Sequence, residues 1–400
     1  MVPYASEARQ FLSQYGVSRE RGFLLPDCDP LEAFPDERLA GWDRVASLLP
    51  GLCAAAGVER AVAELPPIDP EIIDAASTPA LERLNLVVSF LAHALVWFDG
   101  GSAIPPILAD PWIRVASRLG RPPILTYYSY NACNWRRLDR RKGIELGNVC
   151  RLLNFAGGLD EEWFSMVHVA IEAQAGVAID ACVRARIAAR ADDDRAVAAA
   201  LGDLGATLRA MVATLNRMRE GCDPYIYNRR VRIPMAGFTE MPYGDDERRT
   251  YLGETGAQSS VIPAIDAAIG LRCDDVGGVD GADALVPYLV TMRDYMPPRH
   301  AALIANLEQD DLDLRAFCRR RGGGGGWRKR KTASAFDDAL SALVDFRALH
   351  LGLAHAYVRQ WDDRTDDQVT GTGGTLFMPY LRAHRDATKQ HAINDADLLF

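Results

Sequence analysis

The sequence has eight cysteines but no Cys-X-X-Cys and no pairing rhythm: Cys28, Cys53, Cys133, Cys150, Cys182, Cys222, Cys273 and Cys318 are scattered through 400 residues. That spacing excludes a thiolate zinc site and a disulfide frame, and leads us to expect reduced, mostly buried thiols in a cytoplasmic protein. Positive charge is not in excess. A net charge of −9 argues against general nucleic-acid binding. The opening residues, Met1 to Arg9, lack the basic-then-apolar layout of a secretory signal. The longest apolar run, Leu84 to Phe98, contains Asn85 and His93 and is too short to span a bilayer. It is expected as a buried helix, with no membrane partner. No repeat is evident, and convincing strands are few. The glycine-rich run from Gly371 to Thr375 lacks the Gly-Lys-Ser/Thr ending of a phosphate-binding loop, and reads instead as a mobile lid.

What remains is helical patterning on ample apolar content, 48% of residues, with 25% charged. The expected class is all-α. Residues 1–80 are punctuated by prolines between short helical patterns, and an apolar helix follows at 80–98. Turns at 100–106 and at Pro122-Pro123 place a boundary between a small N-terminal helical domain, 1–118, and a large helical domain, 119–400. Within the larger part a long helix is expected from an Asp160 N-cap towards Arg190, and a second one to about Glu220. Others cover roughly 282–295 and Ser334 towards Trp361. Between the last two, the run 318–331 reads as a flexible basic connection.

Several residues stand out as candidates for chemistry. His350 lies on the apolar face traced by Phe336, Leu340, Leu343, Ala354 and Tyr357, with Arg347 one turn before it. His355 is five residues on, about 140° round the helix, so the two imidazoles do not converge. His168 shares a face with Phe164 and Ile171. Each interior histidine is either a hydrogen-bonded core residue or a ligand. Asp266, embedded in an apolar stretch, needs a partner, and Arg347 is a candidate. The segment 222–238 carries Arg229, Arg230 and Arg232 among aromatics. It is either a carboxylate clamp or a solvated basic loop. The cluster Tyr127, Tyr128, Tyr130 and Trp135 either lines a pocket or packs a surface.

Taken in order, these stretches resemble the indoleamine 2,3-dioxygenase family of haem enzymes. The resemblance rests on Gly22-Phe-Leu-Leu-Pro26, Pro122 to Tyr127 with Asn134-Trp135, Trp163-Phe164 with Glu172, and Gln258-Ser-Ser260 with Asp266 and Gly270. It continues through Met292 to Pro298, Arg347-Ala-Leu-His350 and Gly371 to Thr375, and so covers nearly the whole chain. It implies a small helical domain capping a large one that holds haem b, with O2 as co-substrate. His350 is then the proximal iron ligand, and the Asp266–Arg347 pair orients its helix. The distal wall falls on Phe164 and Tyr227, with Tyr127 and Tyr130 deeper. Arg232 takes the substrate carboxylate, Thr255-Gly256-Ala257 lies over the haem, and Thr372 belongs to the loop that closes over the ammonium end.

Three positions depart from the family pattern: His168 where many relatives have serine, tyrosine at 227, and Phe238 where tryptophan is frequent. A distal histidine, used in the sister tryptophan 2,3-dioxygenases, would accept the indole N–H. The implied activity is dioxygenation of the indole C2–C3 bond of L-tryptophan or a related indole to an N-formylkynurenine-type product, as in tryptophan catabolism. A small-molecule indole, O2 and an external reductant are the implied partners of a monomer. Two rivals share the scaffold: a haem mono-oxygenase of another indole in specialised metabolism, and a non-enzymatic O2-binding haem protein.

Overall fold

The computed structural model describes residues 2–244, 247–272, 285–322, 327–362, 369–374 and 376–393. The glycine run 323–326, the acidic residues 363–368, Cys273 and Thr375 lie outside the described residues. The protein is helical, as its patterning predicts. Strands are limited, among the described residues, to two antiparallel pairs: Trp135–Arg137 with Val149–Arg151, and Phe238–Tyr243 with Glu247–Tyr251. The seven cysteines described are all free.

Thr78–Phe98 is the core helix of the N-terminal part. It opens with a proline in its first turn, where the missing N–H costs nothing. It is buried without a break from Leu81 to Leu95, so each polar side chain on it must find a partner. Each does. Glu82 pairs with Arg121 at 2.5 Å and Arg83 with Asp43 at 2.7 Å. Asn85 donates to Ser129 Oγ at 2.8 Å and accepts from Trp112 Nε1 at 3.1 Å. At 21 residues the helix is longer than the apolar run suggested. Three helices are long and apolar enough to cross a membrane by length and composition, but the apolar windows of Thr78–Phe98 and Leu159–Arg190 are each 83% buried inside the protein.

Leu159–Arg190 and Trp327–Tyr357 each pack along Asp194–Asn216, and the three form the frame of the larger part. The first of these begins one residue earlier than expected, and Asp160 is not its cap. Gly158 occupies the cap position, and Glu161 accepts the backbone N–H groups of Phe155, Ala156 and Gly157 at 2.8, 3.0 and 3.0 Å. Asp160 instead accepts the N–H of Asp223 at 2.6 Å. The turn Asp192 to Asp194 ends the helix as expected, and Asp193 caps the next. The N-terminal segment crosses the 159–190 helix at Gly22 and Gly176. A Cβ on Gly22 would lie 1.9 Å from the Glu172 carbonyl oxygen, and one on Gly176 2.5 Å from those of Ser18 and Arg19. Only glycine permits that approach. Buried residues from Ala8 to Ala392 form one contiguous cluster, so residues 1–118 are packed continuously onto the rest.

Candidate active site

A cavity of about 280 Å³ opens where the 159–190 and 327–357 helices face the segments 227–232, 254–257 and 371–372. That is far more than the ~10–15 Å³ that one water needs. From the C-terminal side, Phe346, Arg347, His350, Leu353 and Ala354 line it, the i−4, i−3, i, i+3 and i+4 positions of one helix face. His350 sits deep in the molecule, and burial, with help from His168 and Arg347, pushes its imidazole down to about 4. The residue is nevertheless exposed, because what it faces is the cavity. It has no hydrogen-bond partner among the described residues. His355 is also exposed but does not line the cavity.

Behind His350, Arg347 donates to Asp266 Oδ2 at 2.5 Å, to the His384 carbonyl at 3.3 Å and to the Thr388 hydroxyl. Burial raises the Asp266 carboxyl, and the guanidinium opposes that shift. The second Asp266 oxygen and His384 Nε2 are buried without partners among the described residues.

The opposite wall is aromatic. Phe164 lies 4.7 Å from Tyr227 and 4.5 Å from the His168 ring, centroid to centroid. Burial lowers the pKa of His168. Its Nδ1 lies 2.7 Å from the Phe164 carbonyl oxygen. A carbonyl only accepts, so Nδ1 carries the proton and the neutral ring keeps Nε2 as an acceptor. Of the three arginines, Arg232 alone lines the cavity. Tyr227–Val231 forms a π-helical turn, a feature common at functional sites. It leaves Arg229 over the Tyr225 ring and Arg230 on the Ala156 carbonyl, both exposed. Thr255, Gly256, Ala257 and Thr372 also line the cavity.

Two tyrosines are placed differently from the expectation. Tyr130 is not on the cavity wall. It stacks on Phe90 at 5.9 Å, and the Arg151 guanidinium lies 4.2 Å over its ring, because the π-helical turn Tyr128–Ala132 aims it at the N-terminal core helix. Tyr127 stands behind His168, 6.0 Å between ring centroids, and burial, with the charge of Glu172, holds its hydroxyl well above the usual phenol range. Neither lines the cavity. The motif around Gln258 is a brace: Gln258 accepts from the Tyr127 N–H at 2.8 Å and donates to the Gly253 carbonyl at 2.9 Å, and Ser259 donates to Glu172 at 2.7 Å. Sequence reasoning missed Glu254, Tyr288, His384, Leu215 and Met218 on the wall. The argument that singled out Asp266, a carboxylate among small and apolar residues, applies equally to Glu254.

The family model for indoleamine 2,3-dioxygenase matches residues 11–391. The chain belongs to the indoleamine 2,3-dioxygenase family. Members are haem-dependent dioxygenases that use O2, so haem b and O2 are the cofactor and co-substrate that come with this family. Among its relatives are indoleamine 2,3-dioxygenase 1 of Rattus norvegicus, 29% identical over 96% of this chain and 97% of the relative, and indoleamine 2,3-dioxygenase 2 of Homo sapiens, 29% identical over 96% of each. A myoglobin of Haliotis madaka is 26% identical over 95% of this chain and 98% of its own length. The residues fit a haem of this family. A neutral imidazole with no protein partner faces a largely apolar cavity, and a buried ion pair fixes its helix.

Proposed function

We propose that this protein is a haem-dependent dioxygenase that cleaves the indole C2–C3 bond of L-tryptophan or a close relative, giving an N-formylkynurenine-type product. The carrying observation is that His350 and His168 face one cavity from different helices, with Arg232 on its wall. In this reading His350 ligates the iron and Arg347, held by Asp266, fixes the ligand helix. Haem b, when bound, supplies the iron at which O2 is activated. Phe164 and Tyr227, packed on each other, form the aromatic wall against which the indole ring lies, Arg232 takes the substrate carboxylate, and Nε2 of His168 accepts the indole N–H. The apolar wall excludes water, and the small N-terminal part, 1–118, caps the large helical part that holds the haem. No general base is required among the protein groups. The protein works as a cytoplasmic monomer with an external reductant.

The test is reconstitution with haem b, reduction, and turnover of tryptophan and simple indoles under ¹⁸O₂ with mass detection. Two labelled oxygen atoms in the product support dioxygenation, and one supports a mono-oxygenase. The Haliotis relative, named a myoglobin, favours a second reading as an O2-binding protein. Reversible O2 binding with no indole consumed would select it. His350→Ala is expected to abolish haem retention, read as the haem-to-protein ratio after gel filtration.

A further inference from the structure

Glu254 is a carboxylate with no role in the reaction just described. It is 4% exposed, and it lines the cavity. One oxygen accepts from Asn131 Nδ2 at 3.2 Å, and the other has no hydrogen-bond partner among the described residues. That second oxygen keeps accessible surface, and the residue lines the cavity. A buried carboxylate with an open oxygen is costly unless something comes to meet it.

Its surroundings match a zwitterion. Thr370 and Thr372 tie it to Arg232. The Arg232 guanidinium donates to the Thr370 carbonyl at 3.0 Å, and the Thr372 hydroxyl donates to the main-chain carbonyl of Glu254. Gly253 donates back to the Thr372 carbonyl at 3.3 Å. The segments also touch directly. A Cβ on Gly237 would lie 2.2 Å from the Tyr251 carbonyl oxygen, and one on Gly253 2.3 Å from that of Met235. Burial raises the pKa of the Tyr227 hydroxyl, and both charges act on it as well, Glu254 raising it and Arg232 lowering it. Arg151 is the cation that acts on the carboxylate, and it is paired with Glu161 at 3.6 Å and lies over the Tyr130 ring. The Thr372 hydroxyl gives its proton to the Glu254 carbonyl, so towards a ligand it can only accept, as a neutral partner beside the carboxylate.

We propose that Glu254 binds the ammonium group of an amino-acid or amine substrate, opposite the Arg232 site for the carboxylate. This rests on the proposed function only for the ligand's indole part. It makes the cavity selective for indoles that carry a side-chain ammonium.

The test compares L-tryptophan, tryptamine and indole-3-propionate on haem-loaded protein. Affinity is read from the absorption change of the ferric form, and KM and kcat from turnover. Glu254→Gln is expected to weaken tryptophan and tryptamine roughly 10- to 100-fold while leaving indole-3-propionate unchanged. Arg232→Gln should give the converse, sparing tryptamine. Glu254→Asp keeps the charge and should retain part of the selectivity; it carries the test if Glu254→Gln fails to load haem. Equal weakening of all three ligands would reduce Glu254 to a packing residue, and no weakening of tryptamine would overturn the proposal. So would a wild type that binds none of the three. Tight, Glu254-dependent binding of tryptophan without consumption leaves this proposal standing and removes the dioxygenase reading.

Discussion

His168 and Glu254 show what single residues add to this cavity. With Nδ1 committed to the Phe164 carbonyl, His168 can only accept at Nε2 while neutral, and its pKa is lowered by burial. His168→Ala is therefore expected to reduce kcat/KM for indoles about 2- to 12-fold, the worth of one neutral hydrogen bond, with haem content unchanged. Loss of the haem itself would make His168 an iron ligand. Because protonation turns Nε2 into a donor, activity should also fall at acid pH in the wild type but not in the variant. His350 was legible in the sequence because its helix face is a plain apolar stripe. The choice among Arg229, Arg230 and Arg232 was not, since a π-helical turn breaks the spacing from which a face is read. Tyr130 went astray for the same reason.

At the scale of elements, a buried ion pair joins the 327–357 helix to the helix Val261–Ile269. Asp266 and Arg347 expose 12% and 7% of their side chains. Breaking such a pair from one side leaves an uncompensated charge and costs up to about 3–5 kcal/mol. Asp266→Asn is expected to approach that loss in denaturant unfolding and to lower haem content. The double variant Asp266→Asn/Arg347→Met should lose less than the sum of the single changes. A full loss in denaturant with haem retained would show that the pair stabilises the fold without positioning His350. Periodicity identified the long helices because burial follows the apolar stripe. Their ends were less legible. The 159–190 helix starts where Glu161 reaches back to three N–H groups, a contact that spacing alone does not contain.

Over the whole molecule, the continuous core makes stability depend on buried imidazoles that must stay neutral. His93 is fully buried, accepts from the Leu125 N–H at 3.2 Å and lies 2.7 Å from the Pro234 carbonyl, so its Nδ1 donates. It thus joins the N-terminal core helix to the larger part at Leu125 and at Pro234. Burial pushes its pKa down to about 3, and those of His300 and His384 likewise to about 3. In the unfolded chain each titrates near 6.5. Their contribution is fully present above about 6.5 and is lost as pH falls from there towards 3. Glu172 and Glu254 act in the other direction. Burial raises both to about 7, so the folded protein holds protons that the unfolded chain releases above about 4.5. Stability should therefore be greatest slightly below neutrality and fall on both sides. His93→Gln keeps one donor and one acceptor but does not titrate. It is expected to be less stable at pH 7, with a pH slope between 6.5 and 4 shallower by about 1.4 kcal/mol per pH unit. Urea unfolding of wild type and variant across that range reads the difference directly. An unchanged slope would mean that His93 takes up no proton on unfolding, and that the acid sensitivity belongs to the other histidines.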